Sequence, residues 1–348
     1  MADTTVKSEL RISTVVTDIL SSIERERERE IISRRFGLFD RRETLEQIGE
    51  LFGITRERVR QLEKAVVTKL KQNAGRGDYT ELLKLQEVYV QELHSMGLAA
   101  RISDLSARLT KDNSKIDQSQ VSFLAILSPK LIVLDENDFY FHATAIASEH
   151  DNSILKDQVN AVVDAIKQIG EPTGIEKIAE KVGNRSVAHT RALASISKQV
   201  ATLNGRWGLV KWPMVNPKNI RDKIYVILHE NGKQMHFNEI ADAIKGSSFK
   251  RKDVTTQAIH NELIKDNRFV LIGRGIYALK EWGYKKGTVA DVITEVLKKA
   301  GEPLHRDEIV KRVLKNRYVK ETTILLNLQG KAQFKRVAKA TYALAETE

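Results

Sequence analysis

A chain of 348 residues is too long for one small core and implies several domains. Its 57 Lys and Arg against 46 Asp and Glu leave a net charge of +11, which points towards polyanionic partners. With no cysteine, a disulfide framework, a zinc–thiolate site and a thiol nucleophile are all excluded, and a reducing cytosol fits.

No apolar run approaches the roughly 18 residues of a membrane span, and no signal peptide opens the chain, so a soluble cytoplasmic protein without a membrane partner is expected. The charge is uneven. Residues 1–23 carry −1, 24–76 carry +4, 77–216 carry −2 and 217–348 carry +10.

In chain order, Ile12, Val15, Val16, Ile19 and Ile23 predict one amphipathic helix packed against the module after it. The alternating Arg25-to-Glu30 run reads as a helix start with opposite charges three apart, a pattern that a solvated face also satisfies. LEQIGELF places Leu45, Ile48, Leu51 and Phe52 at helical spacing before Gly53 breaks the pattern. In ITRERVRQLEKAV, Thr55 is the expected N-cap, and Val59, Leu62, Val66 and Leu70 fall in one narrow sector at about 100° per residue. Glu57, Gln61, Lys64 and Thr68 lie opposite, with Arg56 and Arg60 on one flank and Arg58 on the other.

A short helix, a glycine turn and a longer helix make a helix-turn-helix, in which Gly49 would let the two helices approach closely. The second helix of such a unit enters the DNA major groove. Thr55, Arg56, Glu57, Arg58, Arg60, Gln61 and Lys64 are therefore the candidate DNA-binding residues. Glu57 and Gln61 are base-reading types, while the arginines would divide between base edges and phosphates. A charged helix face taken alone is usually only solvated; the preceding helix and turn favour the groove-reading role.

LEQIGELFGITRERVRQLEKA, with RERERE-IISRRFGL before it, resembles region 4 of bacterial sigma factors of the sigma-70 type, at about residues 24–73. The resemblance implies a module that reads a promoter −35 element in double-stranded DNA and sits on the β flap of bacterial RNA polymerase core. By position, Arg56, Glu57 and Gln61 correspond to base-contacting residues, and Arg58 and Arg60 to residues near the backbone or adjoining bases. The residues before Arg27 hold no Trp, Tyr or Phe, so the aromatic-rich −10-binding region of a complete sigma factor is not expected in this chain.

Beyond Gly75-Arg76-Gly77 a unit recurs. MGLAARISDLS, IGEPTGIEKIA, NGKQMHFNEIA and AGEPLHRDEIV each hold a glycine, at 97, 170, 232 or 301, followed eight positions later by an aliphatic residue at 105, 178, 240 or 309. Each glycine ends an apolar helical run and reads as a helix C′ residue. Each unit closes on a β-rich hairpin segment, as in RFVLIGRGIYALKEW. Helix, turn, helix, helix, hairpin is the winged-helix plan.

The fold expected is thus mainly α with small β-hairpins: an N-terminal helix-turn-helix (1–76) followed by tandem winged helices at 77–150, 151–216, 217–286 and 287–348, each burying its own modest core. The last two, through MHFNEIADAI, GRGIYALKEWGY and PLHRDEIV, are similar to the HARE-type winged helix, a family that appears in an accessory subunit of bacterial RNA polymerase, in restriction systems and in chromatin regulators. Their candidate DNA-backbone contacts are Lys250, Arg251, Lys252, Arg274, Lys335 and Arg336, for which a merely solvated basic surface is the alternative. The first two units lack a basic excess and suit spacers or protein contacts.

His236 and His305 share one repeat position with Gly174 and Arg101, which favours a turn or cap over chemistry. No metal-ligand spacing, phosphate loop or dinucleotide fingerprint is present, so neither an enzyme, a cofactor, a metal nor a small-molecule substrate is expected. The function expected is DNA-binding, −35-type promoter recognition with bacterial RNA polymerase in a nucleoid-associated protein. The alternative is a polymerase-associated interaction protein, like the delta subunit, without sequence readout.

Overall fold

Periodic apolar residues and well-formed caps account for most of the backbone. The computed structural model describes residues 12–183, 186–249, 251, 253–284 and 287–345. They divide into two compact units between Lys211 and Trp212. Most of these residues are helical, the strands are short and antiparallel, and no described helix is long and apolar enough to cross a membrane.

The first unit begins with α1 (Ile12–Ser21), whose Ile12, Val15, Val16 and Ile19 are buried, as is Ile23 just beyond it. α2 (Glu26–Phe36) follows, then α3 (Leu45–Phe52) and α4 (Arg56–Arg76). A capping box opens α3: Gln47 N donates to Thr44 Oγ1 at 3.3 Å, and Thr44 N donates to Gln47 Oε1 at 2.9 Å. Gly53, at φ +61°, ends it, with Ile54 N donating to Gly49 O at 2.9 Å. Thr55 caps α4 by accepting from Arg58 N at 3.2 Å. Gly75 does not break this helix, which runs on to a left-handed Gly77.

The apolar stripe of α4 serves two cores. Val59 and Leu62 close a small one with Ile31, Ile48, Leu45 and Phe52. Val66 and Leu70 belong to a larger one that includes α1.

That larger core overturns the expectation that every repeat buries its own. The first repeat consists of α5 (Thr80–Met96), β1 (Ala99–Arg101), α6 (Ile102–Leu109), α7 (Lys115–Leu127), β2 (Leu131–Leu134) and β3 (Ala143–Ile146), with strand order β1-β3-β2. Its Leu85, Leu105, Phe123 and Leu124 share one continuous cluster with α1 and the second half of α4. A helix as long as α4 carries its apolar stripe past the helix-turn-helix, and the first repeat covers the remainder.

The second repeat is α8 (Asn152–Ile169), α9 (Ile175–Val182), α10 (Val187–Ile196), β4 (Val200–Leu203) and β5 (Arg206–Leu209). Its hairpin turns on Asn204 and Gly205, both at positive φ, the turn that matches strand twist. A Thr173–Trp207 bridge lies where the other repeats place a third strand.

In the second unit, α11 (Ile220–Asn231), β6 (Met235–His236), α12 (Phe237–Gly246), α13 (Thr256–Lys265), β7 (Phe269–Gly273) and β8 (Ile276–Leu279) form the third repeat. The fourth is α14 (Val289–Ala300), β9 (Leu304–His305), α15 (Arg306–Leu314), α16 (Glu321–Gly330), β10 (Phe334–Ala338) and β11 (Thr341–Leu344). Sheet orders are β6-β8-β7 and β9-β11-β10.

Gly97, Gly170, Gly232 and Gly301 all adopt positive φ one residue past a helix. Leu105, Ile178, Ile240 and Ile309, eight residues on, are each fully buried. Arg101, Gly174, His236 and His305 occupy N-caps, and the two histidines accept through Nδ1 from Asn238 N and Asp307 N at 3.3 and 3.4 Å.

Candidate nucleic-acid interface

α3 and α4 touch closely because residue 49 has no side chain: a Cβ there would lie 2.7 Å from Ile54 O. α2 braces the pair from behind. Arg27 donates to Phe52 O at 2.7 Å with its guanidinium 5.5 Å from the Phe52 ring centroid, and Arg35 Nε donates to Glu63 Oε2 at 3.0 Å. The Arg25-to-Glu30 run is therefore more than a solvated face, since Arg27 uses its charge to satisfy the last carbonyl of α3. A charged run conceals such a role because its partner lies 25 residues away.

Held in this way, α4 presents Thr55, Arg56, Glu57, Arg58, Arg60, Gln61, Lys64 and Thr68, all of them exposed. Four of these side chains interlock. Arg60 donates to both carboxylate oxygens of Glu57 at 2.8 and 2.7 Å, Gln61 Nε2 donates to Glu57 Oε1 at 3.4 Å, and Arg58 donates to Gln61 Oε1 at 3.3 Å. Hydrogen bonding from Arg60 holds the Glu57 carboxyl below its ordinary range, so it stays an acceptor at neutral pH. Exposed pairs at this spacing are weak, being screened by solvent. A competing polar ligand can displace them at little cost. The Arg56 and Lys64 side chains make no hydrogen bond among the described residues.

The other candidates are spread over the second unit. Arg251 is exposed, and its carbonyl accepts from Lys223 Nζ at 2.6 Å. Arg274 is exposed at the β7–β8 turn, and Lys335 and Arg336 are exposed on β10. Lys250 and Lys252 lie outside the described residues.

The third helix differs from repeat to repeat. α7 is mostly buried against α1, α2 and α4, with Gln120 Nε2 donating to Leu38 O at 2.7 Å, and α10 packs against β1 and α5. α13, by contrast, exposes Gln257 and Asn261, and α16 exposes Thr322, Leu326 and Gln329.

The exposed polar face, the glycine turn and the brace all fall in one stretch of sequence. Residues 25–72 match the family model of sigma-70 region 4. The same region is 47% identical over 55 residues to RNA polymerase sigma factor SigA of a Bacillus species, covering 16% of this chain and 14% of that one. It is 52% identical over 46 residues to RNA polymerase sigma factor SigA1 of Synechococcus elongatus, covering 13% of this chain and 12% of that one. The chain thus spans about one-seventh of the length of the sigma factors it matches. The region 4-like segment comprises α2, α3 and most of α4, and it contains every candidate from Thr55 to Lys64.

Proposed function

We propose that this chain is a DNA-binding transcription factor that reads a −35-type promoter element with α4. It acts with bacterial RNA polymerase, through the β flap, in transcription initiation or its regulation. The observation that carries this reading is the exposed set Arg56, Glu57, Arg58, Gln61 and Lys64 on a helix docked across a glycine turn, inside the region 4-like segment. The four following repeats are read as winged helices, the last two of HARE type, at the boundaries 77–150, 151–216, 217–286 and 287–348. In this reading the first two are scaffold, because their third helices are packed against their own unit. The basic third and fourth add DNA affinity through Arg251, Arg274, Lys335 and Arg336, and through Lys250 and Lys252.

Selection from a random duplex library tests the assignment. Gln61→Ala is expected to relax preference at one base pair by ~1–3 kcal/mol. If Gln61→Ala and Arg56→Ala both leave the selected sequence unchanged, α4 is not the reading helix.

One observation favours a second reading, a polymerase-associated interaction protein. Leu326 is 67% exposed on α16, a helix that carries no Lys or Arg, which suits protein contact better than a groove. Retention of polymerase in a pull-down, with no enriched sequence in the selection, distinguishes this reading from the first.

A further inference from the structure

Two clefts adjoin on the first unit. One lies along the flank of α4 formed by Arg60, Lys64 and Lys71, and the other beside Arg41, Arg101 and Lys115; both are lined by Arg42. Arg41, Lys64, Lys71 and Lys115 are exposed. Neither the exposed Arg42 nor the half-buried Arg101 hydrogen-bonds a carboxylate among the described residues. Arg42 Nε donates to Arg35 O at 3.2 Å, while Arg101 donates to Ser195 O and lies 4.0 Å from the Phe141 ring centroid. Their remaining N–H groups are open to an anion. Partial burial lowers the Arg101 guanidinium from its usual range. Two carboxylates share the junction: Glu136 accepts from Lys198 Nζ at 2.7 Å, while Asp135 makes no hydrogen bond through its side chain among the described residues and partly offsets the Arg42 charge.

We infer that this groove is a phosphate track: it takes the backbone of the duplex read by α4 and leads it past Arg42 to Arg101 and Lys115 on the first repeat. The first repeat then forms one bank of the DNA site even though its own third helix is buried. The track rests on the α4 reading, because the duplex enters it from the Lys64 flank.

The test is a salt-dependent titration of the full chain with two 30-base-pair duplexes, one carrying the sequence enriched by wild-type selection and one scrambled. Arg41→Ala, in the connection between α2 and α3, and Lys115→Ala, on the first repeat, remove exposed charges that lie on neither α3 nor α4. Each is expected to weaken binding of both duplexes several-fold at about 0.1 M salt, and to reduce the slope of log K against log salt by about 0.9 per lost contact. The ratio of affinities between the duplexes should not change. Gln61→Ala should do the reverse, narrowing the ratio and leaving the slope alone. Wild-type slope and affinity in both cation variants would overturn the track whatever Gln61→Ala does, whereas a ratio untouched by Gln61→Ala would count against the reading helix. A wild-type chain that binds neither duplex overturns both.

Discussion

The contact at Gly49 allows a prediction that can be worked from geometry. Replacing it with alanine puts a Cβ 2.7 Å from Ile54 O and 3.5 Å from Arg56 N, all backbone atoms with no rotamer to move. Carbon contacts settle near ~3.5 Å, so α3 and α4 must separate by a sizeable fraction of an ångström. Such overpacking costs about 1–3 kcal/mol, and alanine recovers about 0.5–1 kcal/mol of helix propensity. The net expectation is a loss of ~1–2 kcal/mol, confined to the helix-turn-helix.

Gly75→Ala is the matched control. Position 75 lies inside α4 with nothing within 4 Å of an added methyl, so only the propensity gain remains. Because the expected loss is confined to one module, native-state hydrogen exchange at Ile48 and Val59 is the suitable assay. These amides close the first turns of α3 and α4 onto Thr44 O and Thr55 O. Faster exchange in Gly49→Ala and unchanged or slower exchange in Gly75→Ala is expected. Equal or slower exchange in Gly49→Ala would refute the close-approach argument.

Two further outcomes are expected. Gly97 and Gly170 occupy the same cap, but a Cβ on Gly97 would collide with Ala188 O and lie 2.8 Å from His189 N, while Gly170 faces open space. Gly170→Ala should cost only the left-handed penalty of about 1–2 kcal/mol, and Gly97→Ala clearly more; equal losses in urea unfolding would show that the contact between repeats is unimportant. His142 and His189 are both held below the usual histidine range, chiefly by burial, with Arg42 adding to the effect at His142 and His150 at His189, where the two Nε2 atoms are 3.1 Å apart. Below the ordinary histidine value of 6.5 the unfolded chain therefore takes up protons that the folded one resists, so stability is full above that pH and falls as pH drops. Unfolding midpoints at about pH 7.5 and about pH 5.5 should differ less in the H142Q/H189Q variant, and an undiminished difference would contradict the assignment.

Local physics was legible in the chain itself. The Thr55 cap, the polar face from Glu57 to Thr68, the left-handed glycines at 97, 170, 232 and 301, and the buried residue eight positions after each depend on contacts within a turn or two. Side-chain period and the steric freedom of glycine specify these directly. Which surfaces remain free was decided only by tertiary packing. α7 and α13 hold the same place in their repeats, yet Gln120 reaches Leu38 O across 82 residues and α7 is covered, while Gln257 and Asn261 of α13 stay exposed. The merging of the first repeat's core with α1 and α4, Arg27 on Phe52 O and the groove joining Lys64 to Lys115 have the same origin. Each brings together residues from segments distant in sequence, and a periodic pattern states that a face is apolar or charged without stating what will cover it.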